Sequence, residues 1–587
     1  MYSTKKNIRL LLAVMLQHEV PYWVLCPGSR NAPITLTATR VWGDGIANQR
    51  GTLSVLDERT AGFVALGLSD GCNAPVAVCC TSGSAVLNLA PAVAEAYYRH
   101  VNLVVISADR PKRWIGQMDG QTLPQDDVFG GLVCKSVTLP EEIATEEDEW
   151  YCRRLVEEAF MEAVKQGGGP IHINVPLSEP LFEETDEPLP IVTPVKYYNS
   201  YGRLRLPAHD TFFRKWTMPQ TRRMIVIGQR AYDKMHVEEW NALSRIVEDK
   251  STVVVAEHLA NVIQKEDIIT RADEILDIWP EDEALMPECV ITLGGHVVSK
   301  RLKQFLRKAS ADMQHLHVSL RGDYCDTFRH LTGVVQADNE SFVSELSDWY
   351  LKRNDGRYEE STFRAEWHRR QQEVKAKASV YDYHTHSDLK VLADVIKMLP
   401  EKSRIHLANS SMVRNVQLFD FPNGCLFYCN RGMNGIEGSV STAVGYAIAT
   451  PEEKSYLLVG DLSFAYDSNA LWNINLPPNL RILVLNNGGG QIFRQLPGLQ
   501  PTSECRRMVA GEHRLRISNE RSMKCRYLSA QERYLKAFYK KELERWADSS
   551  QDIPLLEIET KAEQNDQVVR ERREWMYTLR DRSEEKR

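Results

Sequence analysis

Two short apolar runs, Tyr456–Val459 and Ile482–Leu485, end abruptly in Gly460-Asp461 and in Asn486-Asn487-Gly488-Gly489-Gly490. A brief, β-branched or leucine-rich run bounded by turn residues reads as a strand buried on both faces. Such strands belong to parallel sheets covered by helices, and the ligands of these sheets bind beyond the carboxyl ends of the strands. Both motifs therefore stand where a ligand belongs. Asp461 offers a carboxylate, Asn487 an amide oxygen, and the glycines expose backbone carbonyls and amides. Hard oxygen donors suit Mg2+, which completes its shell with phosphate oxygens and water. Glycine also lets a phosphate approach backbone amides closely at a helix start.

The remainder of the chain repeats this α/β alternation. In the first part, Trp23–Cys26, Val76–Thr81, Leu103–Ala108 and Ile171–Val175 read as strands, with helical patterns at Arg59–Leu68 and Ala85–Tyr98. A proline-rich acidic stretch from Glu179 to Val195 marks a linker. A second set of strands follows at Met224–Ile227, Thr252–Ala256, Val290–Leu293, His315–Ser319 and Gly333–Ala337. The charged, helix-prone segment Asp348–Lys377 reads as a second connector. The third set is Ile405–Ala408, Leu426–Tyr428, Tyr456–Val459, Ile482–Leu485 and Leu555–Ile558. The expectation is α/β, with three doubly wound, mainly parallel-sheet domains at 1–185, 196–350 and 380–565.

Composition narrows the function classes. The 587 residues carry a formal net charge of −7, so no global basic excess points to nucleic acid. Twelve cysteines form no CxxC pair and no zinc-spaced Cys/His set, which suits reduced thiols in the cytoplasm. Lys5 and Lys6 precede an apolar run, as in a signal peptide. Arg9 interrupts it, however, and Ile8, Leu11, Leu12, Met15 and Leu16 space as one face of an amphipathic helix. No apolar run is long enough to span a bilayer. No GxGxxG follows a strand and no GK[ST] occurs, which disfavours a nicotinamide dehydrogenase and a P-loop ATPase. The basic block Arg506–Arg526 reads as a solvated helix or a mobile loop near the site.

Two further segments join the Asp461 and Asn487 motifs. Asp57-Glu58-Arg59-Thr60-Ala61-Gly62 opens a helix, where acidic residues are favourable in any protein. Asn430-Arg431-Gly432-Met433-Asn434-Gly435-Ile436-Glu437-Gly438 is glycine-dense, as a loop pressed against a ligand would be. GDxS followed by NN at the end of the next strand resembles the diphosphate-binding motif of the thiamine-diphosphate enzymes. That resemblance implies thiamine diphosphate with Mg2+ or Mn2+. It makes Asp461, Asn487 and Gly489 the metal ligands. It makes Glu58 the carboxyl group beside the aminopyrimidine, which helps the thiazolium lose its C2 proton. It also places Ser82, Gly83, Gly460, Leu462, Ser463, Gly490, Ile492 and Phe493 against the cofactor, with Ile436 supporting its bent shape.

The likeness extends further. Pro27-Gly28-Ser29-Arg30, Thr81-Ser82-Gly83-Ser84-Ala85, Ala108-Asp109-Arg110-Pro111, Ser299-Lys300-Arg301, Asn409-Ser410-Ser411-Met412-Val413-Arg414 and Gly490-Gln491-Ile492-Phe493 occur in order between about residues 5 and 497. Together they resemble the 2-succinyl-5-enolpyruvyl-6-hydroxy-3-cyclohexene-1-carboxylate synthase family of menaquinone biosynthesis. That family of transferases decarboxylates 2-oxoglutarate and adds the succinic semialdehyde carbanion equivalent to isochorismate. Both substrates are dicarboxylates, so an acidic protein needs a local cationic pocket, and the planar fork of arginine suits carboxylates. The resemblance assigns Ser29, Arg30, Arg110, Gln121, Lys300, Arg301, Ser410 and Arg414 to substrate binding. Glu58, Arg30, Gln121, Arg414 and Arg431 are its catalytic group. Gln117 and Gln125 compete with Gln121 for its role. The family also implies a homodimer or homotetramer, with no nucleic acid or membrane partner. Gly488 departs from the Asn or Asp frequent in relatives, and the basic segment after Gln500 has no clear match. Alternatives are another thiamine-diphosphate 2-oxo-acid carboligase or decarboxylase, typically with FAD in its middle domain, and a non-catalytic protein on a degenerate version of the fold. The second would show loss of Glu58 or Asp461, and both are present.

Overall fold

The computed structural model describes the chain apart from residues 48, 166, 194, 196–203, 208–209, 231–236, 249, 263–266, 352–360, 473–476, 495, 497, 500–501, 515, 517–524, 529–535, 549–553 and 585–587. Parts of the expected connector and of the basic block therefore lie outside the described residues. The chain divides into two compact units. One holds Met1–Asn199, Asn430–Leu457 and Ser463–Leu480; the other holds Ser200–Cys429, Leu458–Leu462 and Arg481–Arg587.

The first unit contains a seven-stranded sheet in the order Gly45–Ala47, Arg50–Ser54, Tyr22–Leu25, Val76–Cys80, Leu103–Asp109, Ile171–Pro176, Lys135–Thr138. Only the first pair is antiparallel. The four central strands are buried along their whole length, as their largely apolar runs require, and the polar His172 and Asn174 among them are hydrogen-bonded to Ser107. Alternate residues enter opposite layers. Trp23 and Cys79 join a core with Ile8, Leu11, Leu12 and Met15 of the helix Lys6–Gln17. Val24 and Val78 join one with Val64 and Leu68 of the helix Glu58–Cys72. The pattern Ala85–Tyr98 resolves into two helices, Ser84–Asn88 and Ala90–Arg99. Pro91 lacks the amide and the steric room to continue a helix but suits the first turn of a new one.

The helix Glu58–Cys72 runs along the helix Ser439–Ala449 at backbone contact. A Cβ on Gly67 would lie 2.0 Å from the carbonyl oxygen of Thr442, and one on Gly445 would lie 2.1 Å from that of Val64. Glycine is required here by the closeness of two backbones rather than by φ.

In the second unit a parallel six-stranded sheet has the order Ile268–Ile269, Thr252–Ala256, Arg223–Ile227, Cys289–Leu293, Gln314–Ser319, Leu331–Gln336. The expected connector is in part a packed element. The helix Thr362–Ser379 buries Phe363, Trp367 and Val374 in this unit's core, together with Met576 and Leu579 of the long helix Ala562–Glu584. Its charge concealed this role, because Arg364 pairs with Asp267 at 2.7 Å and Arg370 with Asp282 at 2.9 Å while buried. A third sheet has the order Leu426–Tyr428, Arg404–Leu407, Ser455–Gly460, Leu480–Asn486, Leu555–Glu559, Cys525–Leu528. The α/β reading with three mainly parallel sheets holds. Among the described residues no helix is long and apolar enough to cross a membrane. The cysteines whose side chains are described are free thiols.

Candidate active site

The strand Ser455–Gly460 delivers Asp461 to the first position of the helix Asp461–Tyr466, and the next strand, Leu480–Asn486, delivers Asn487. Asp461 is buried and heavily used. One carboxylate oxygen accepts the Leu462 amide at 2.7 Å, and the other accepts the amides of Gly488 at 2.8 Å and Gly489 at 2.9 Å. Asn487 donates its amide nitrogen to Asp388 at 2.9 Å. That hydrogen bond fixes which way the amide points. Among the described residues the Asn487 Oδ1 is left buried without a hydrogen-bond donor. A buried acceptor of this kind is costly unless something else satisfies it. An oxygen-loving cation beside the Asp461 carboxylate, joined by a Gly489 backbone carbonyl, would do so, and the donor set fits Mg2+ or Mn2+.

Asp388 is the orienting group. It accepts the Thr560 hydroxyl at 2.6 Å as well as Asn487, and burial pushes its carboxyl above the usual range against those hydrogen bonds. In the sequence it is simply an acidic residue at a helix start, so nothing marked it.

The basic block contributes in an unexpected way. Ala510 to His513 passes over the glycine loop: the Gly490 amide donates to Ala510 at 2.6 Å, and the His513 amide donates to Gly488 at 2.9 Å. The loop can lie this close because Gly488 has φ +81° and Gly489 φ +149°, and a Cβ on Gly489 would stand 2.9 Å from the Ala510 carbonyl. His513 Nε2 stands 3.2 Å from the Asp461 carboxylate, a charge contact that raises the imidazole's proton affinity. The segment walls a cavity of about 470 Å³ lined by Asn487, Gly488, Gly489, Gly490, Arg494 and Lys561, among others. Arg494 is held by Asp566 at 2.7 Å. Ile492 and Phe493 lie on the short helix Gln491–Arg494 beside this loop.

The first unit holds Glu58 and several of the other candidate groups. Asp57 caps the helix Glu58–Cys72 by accepting the Thr60 amide at 3.0 Å, and it also accepts from the Asn469 side chain. Glu58, the first helical residue, is half-buried. Desolvation raises its carboxyl above the ordinary range, a backbone hydrogen bond opposes this, and Asp57 adds to it. Cys26 and Cys80 stand close enough that the Glu58 charge adds to the effect of burial on their thiols.

At the ends of the neighbouring strands, Arg110 gathers several expected residues. It donates to the Ser82 hydroxyl at 3.0 Å, to the Gln121 carbonyl at 3.5 Å and to Asp119 at 2.7 Å. Gly83 has φ +81°, and its missing Cβ leaves room for the Gln121 backbone. Gln125 is a buried brace: it accepts the Gly83 amide at 2.8 Å and donates to Ala108 at 3.2 Å and Asn174 at 2.9 Å. Gln121 itself is exposed. Ser29 is exposed, whereas Arg30 is tied to the Leu177 carbonyl at 3.0 Å and to Glu179 at 3.2 Å. Arg431 is buried in the glycine-dense loop, and Ile436 is partly exposed.

In the second unit, Arg301 pairs with Asp273 at 2.6 Å and Asp277 at 3.0 Å, while neighbouring Lys300 is exposed. Ser410 holds a left-handed φ of +69°, and its carbonyl accepts from Arg414. The structure thus brings together Arg110, Ser82, Gly83 and Gln121 in one unit. In the other it brings together Asp461, Leu462, Asn487, Gly489 and Gly490, and separately Ser410 with Arg414.

Comparison with known proteins points to one family. Residues 6–129 match the thiamine pyrophosphate enzyme, N-terminal TPP binding domain family. The chain is 44% identical to a 2-succinyl-5-enolpyruvyl-6-hydroxy-3-cyclohexene-1-carboxylate synthase of Bacteroides thetaiotaomicron, over 88% of each chain. It is 38% identical to the synthase of that name from Desulfotalea psychrophila, over 84% of this chain and 87% of the relative. With the one from Christiangramia forsetii it shares 34% identity, over 88% and 89%.

Proposed function

The chain belongs to the 2-succinyl-5-enolpyruvyl-6-hydroxy-3-cyclohexene-1-carboxylate synthase family of thiamine-diphosphate enzymes, and from that premise we propose a residue-level account of its reaction. The activity is formation of that product in menaquinone biosynthesis. The substrates we assign are 2-oxoglutarate, which loses carbon dioxide, and isochorismate, which receives the four-carbon fragment. When bound, the cofactor supplies a nucleophilic thiazolium carbon that accepts the oxo acid and stabilises the charge left by decarboxylation.

Glu58 shares a proton with the aminopyrimidine ring. Its half-buried carboxyl, with proton affinity raised by desolvation, suits that task. Asp461, Asn487 and the Gly489 carbonyl hold Mg2+ or Mn2+, and Asp388 keeps Asn487 turned toward it. Gly460, Leu462, Ser463, Gly490, Ile492 and Phe493 line the diphosphate end, with Ser82, Gly83 and Ile436 along the rings. Arg30, Arg110, Arg414 and Arg431, with Lys300 and Arg301, neutralise the substrate carboxylates, and Ser29, Gln121 and Ser410 add hydrogen bonds. The three domains, 1–185, 196–350 and 380–565, are supported by one mainly parallel sheet falling within each. A homodimer or homotetramer is supported by large apolar side chains left 49 to 63% exposed in the first unit: Leu87, Tyr98, Met433, Tyr466 and Trp472. The free thiols fit a cytoplasmic setting.

The observation that carries this account is the Asn487 oxygen, buried, oriented and without a donor among the described residues, beside Asp461. The test incubates the purified protein with thiamine diphosphate, Mg2+ and 2-oxoglutarate, with and without isochorismate, and follows isochorismate absorbance. Consumption that needs every component and stops with Glu58→Gln supports it. Carbon dioxide release from pyruvate, with isochorismate untouched, overturns the substrate assignment.

A further inference from the structure

The loop bearing Arg431 is clamped on both sides, and one clamp is a buried carboxylate. Before Arg431, the Asn430 side chain donates to the Thr442 hydroxyl at 3.0 Å. After it, Glu95 accepts two successive amides, Gly432 at 2.9 Å and Met433 at 2.7 Å, one on each carboxylate oxygen. Glu95 lies on the helix Ala90–Arg99, and its side chain is 2% exposed. The approach is so close that a Cβ on Gly432 would stand 2.8 Å from the Glu95 carbonyl and 3.0 Å from its carboxylate.

Glu95 is itself anchored. Arg99 stands 3.8 Å from it, one turn along the helix, and donates to both oxygens of Asp70 at 2.9 and 2.8 Å. Asp70 lies on the helix that begins with Glu58. The buried trio holds two carboxylates and one guanidinium, so one negative charge is not balanced within it, and the two loop amides face that surplus. Sealing a charge in the interior is expensive unless it is paired and hydrogen-bonded. A contact needed only for packing is served more cheaply by an apolar side chain. A carboxylate on two consecutive amides instead fixes the peptide planes on both sides of Gly432, next to Arg431.

We propose that Glu95 is a positioning residue: with Arg99 and Asp70 it sets the Asn430–Met433 loop, and through it the guanidinium of Arg431. The proposal rests on the substrate-binding role given to Arg431 above. It makes Glu95 act on carboxylate recognition without touching substrate.

The experiment is a double-mutant cycle on the holoenzyme with Glu95→Gln and Arg431→Lys, reading kcat and KM for each dicarboxylate and the Kd for thiamine diphosphate. Gln keeps the shape but turns a donor toward one of the two amides. The expected result for Glu95→Gln is a KM raised about tenfold for the substrate that Arg431→Lys also affects. Both kcat and cofactor Kd stay within about twofold, and the double variant is little worse than Arg431→Lys alone. Glu95→Asp, which keeps the charge but shortens its reach, carries the same cycle if Glu95→Gln does not fold. Multiplicative effects of the two substitutions overturn the positioning role and leave Arg431's role intact. An Arg431→Lys enzyme with unchanged KM for both substrates sinks the Arg431 assignment, and the positioning role with it.

Discussion

The two groups of candidate residues, one in each unit, are built by different means. The Glu58 end of the first unit stands on helix packing so close that two glycines admit no Cβ, which would stand 2.0 Å from a facing carbonyl at Gly67 and 2.1 Å at Gly445. The Asp461 end of the second unit stands on polar contacts. Three backbone amides and a histidine converge on one carboxylate, and an exposed, basic segment lies over the glycine loop. Close apolar packing fixes a group in one place and gives way only all at once, since packed interiors tolerate little change of volume. A cluster of hydrogen bonds can be rearranged one partner at a time. The group proposed to handle the proton is thus on the rigid end, and the group proposed to meet the cation is on the adaptable one.

The comparison is put under most strain at the rigid end. Glu58→Gln leaves packing intact and removes the shared proton, so the rate is expected to fall about a thousandfold while thiamine diphosphate still binds. Steady-state kinetics with a cofactor titration checks both halves. A loss of binding equal to the loss of rate would make Glu58 a mere ligand. Next comes Gly67→Ala. Its Cβ must push the Thr442 carbonyl away, so the first unit is expected to lose about 3 kcal/mol or more. A urea melt following its tryptophans measures this, and an unchanged midpoint would show that the helices have slack.

At the adaptable end the effect is smaller and more local. Asp388→Ala frees the Asn487 amide to turn over, and Mg2+ affinity is expected to weaken by about ten- to a hundredfold, with little change in the melting midpoint of the first unit. Mg2+ titration of the thiamine-diphosphate-saturated protein reads it. Unchanged affinity would mean that Asn487 is held by something other than Asp388.

How much of this was legible beforehand follows the same division. The buried strands were visible because most are short, largely apolar runs, and their ends fall within one or two residues of the expected positions. Gly45–Ala47, Arg50–Ser54 and Lys135–Thr138 were not, being short and carrying glycine, arginine or lysine. Motifs ending strands could be seen; the groups that orient them could not. Asp388, Glu95 and Gln125 look in sequence like solvated polar residues, and only tertiary contacts make them buried acceptors or braces. The same holds for Arg364 and Arg370, whose charge made a packed helix read as a connector.

The last prediction is silent at neutral pH and separates the two units on acidification. Burial holds His172 of the first unit at about 4, with Asp126 opposing the shift, between the hydroxyls of Ser107 at 2.7 Å and Ser136 at 3.0 Å. In the second unit burial holds both His258 and His315 at about 4. Each is neutral when folded and takes up a proton near pH 6.5 when unfolded. The contribution of each is therefore fully present above about 6.5, and it is lost as the pH falls from there toward 4, at roughly 1.4 kcal/mol per unit per histidine. These two, with His317 also lowered by burial, stand against one and make the second unit the more acid-sensitive. Hydrogen exchange at pH 7, 6 and 5, normalised to intrinsic rates, is expected to show the central sheet losing protection before the seven-stranded one. His315→Gln is expected to halve that difference in slope or more, because it removes one of the three buried histidines that set it. Equal loss in both units would mean that other titrating groups outweigh these histidines.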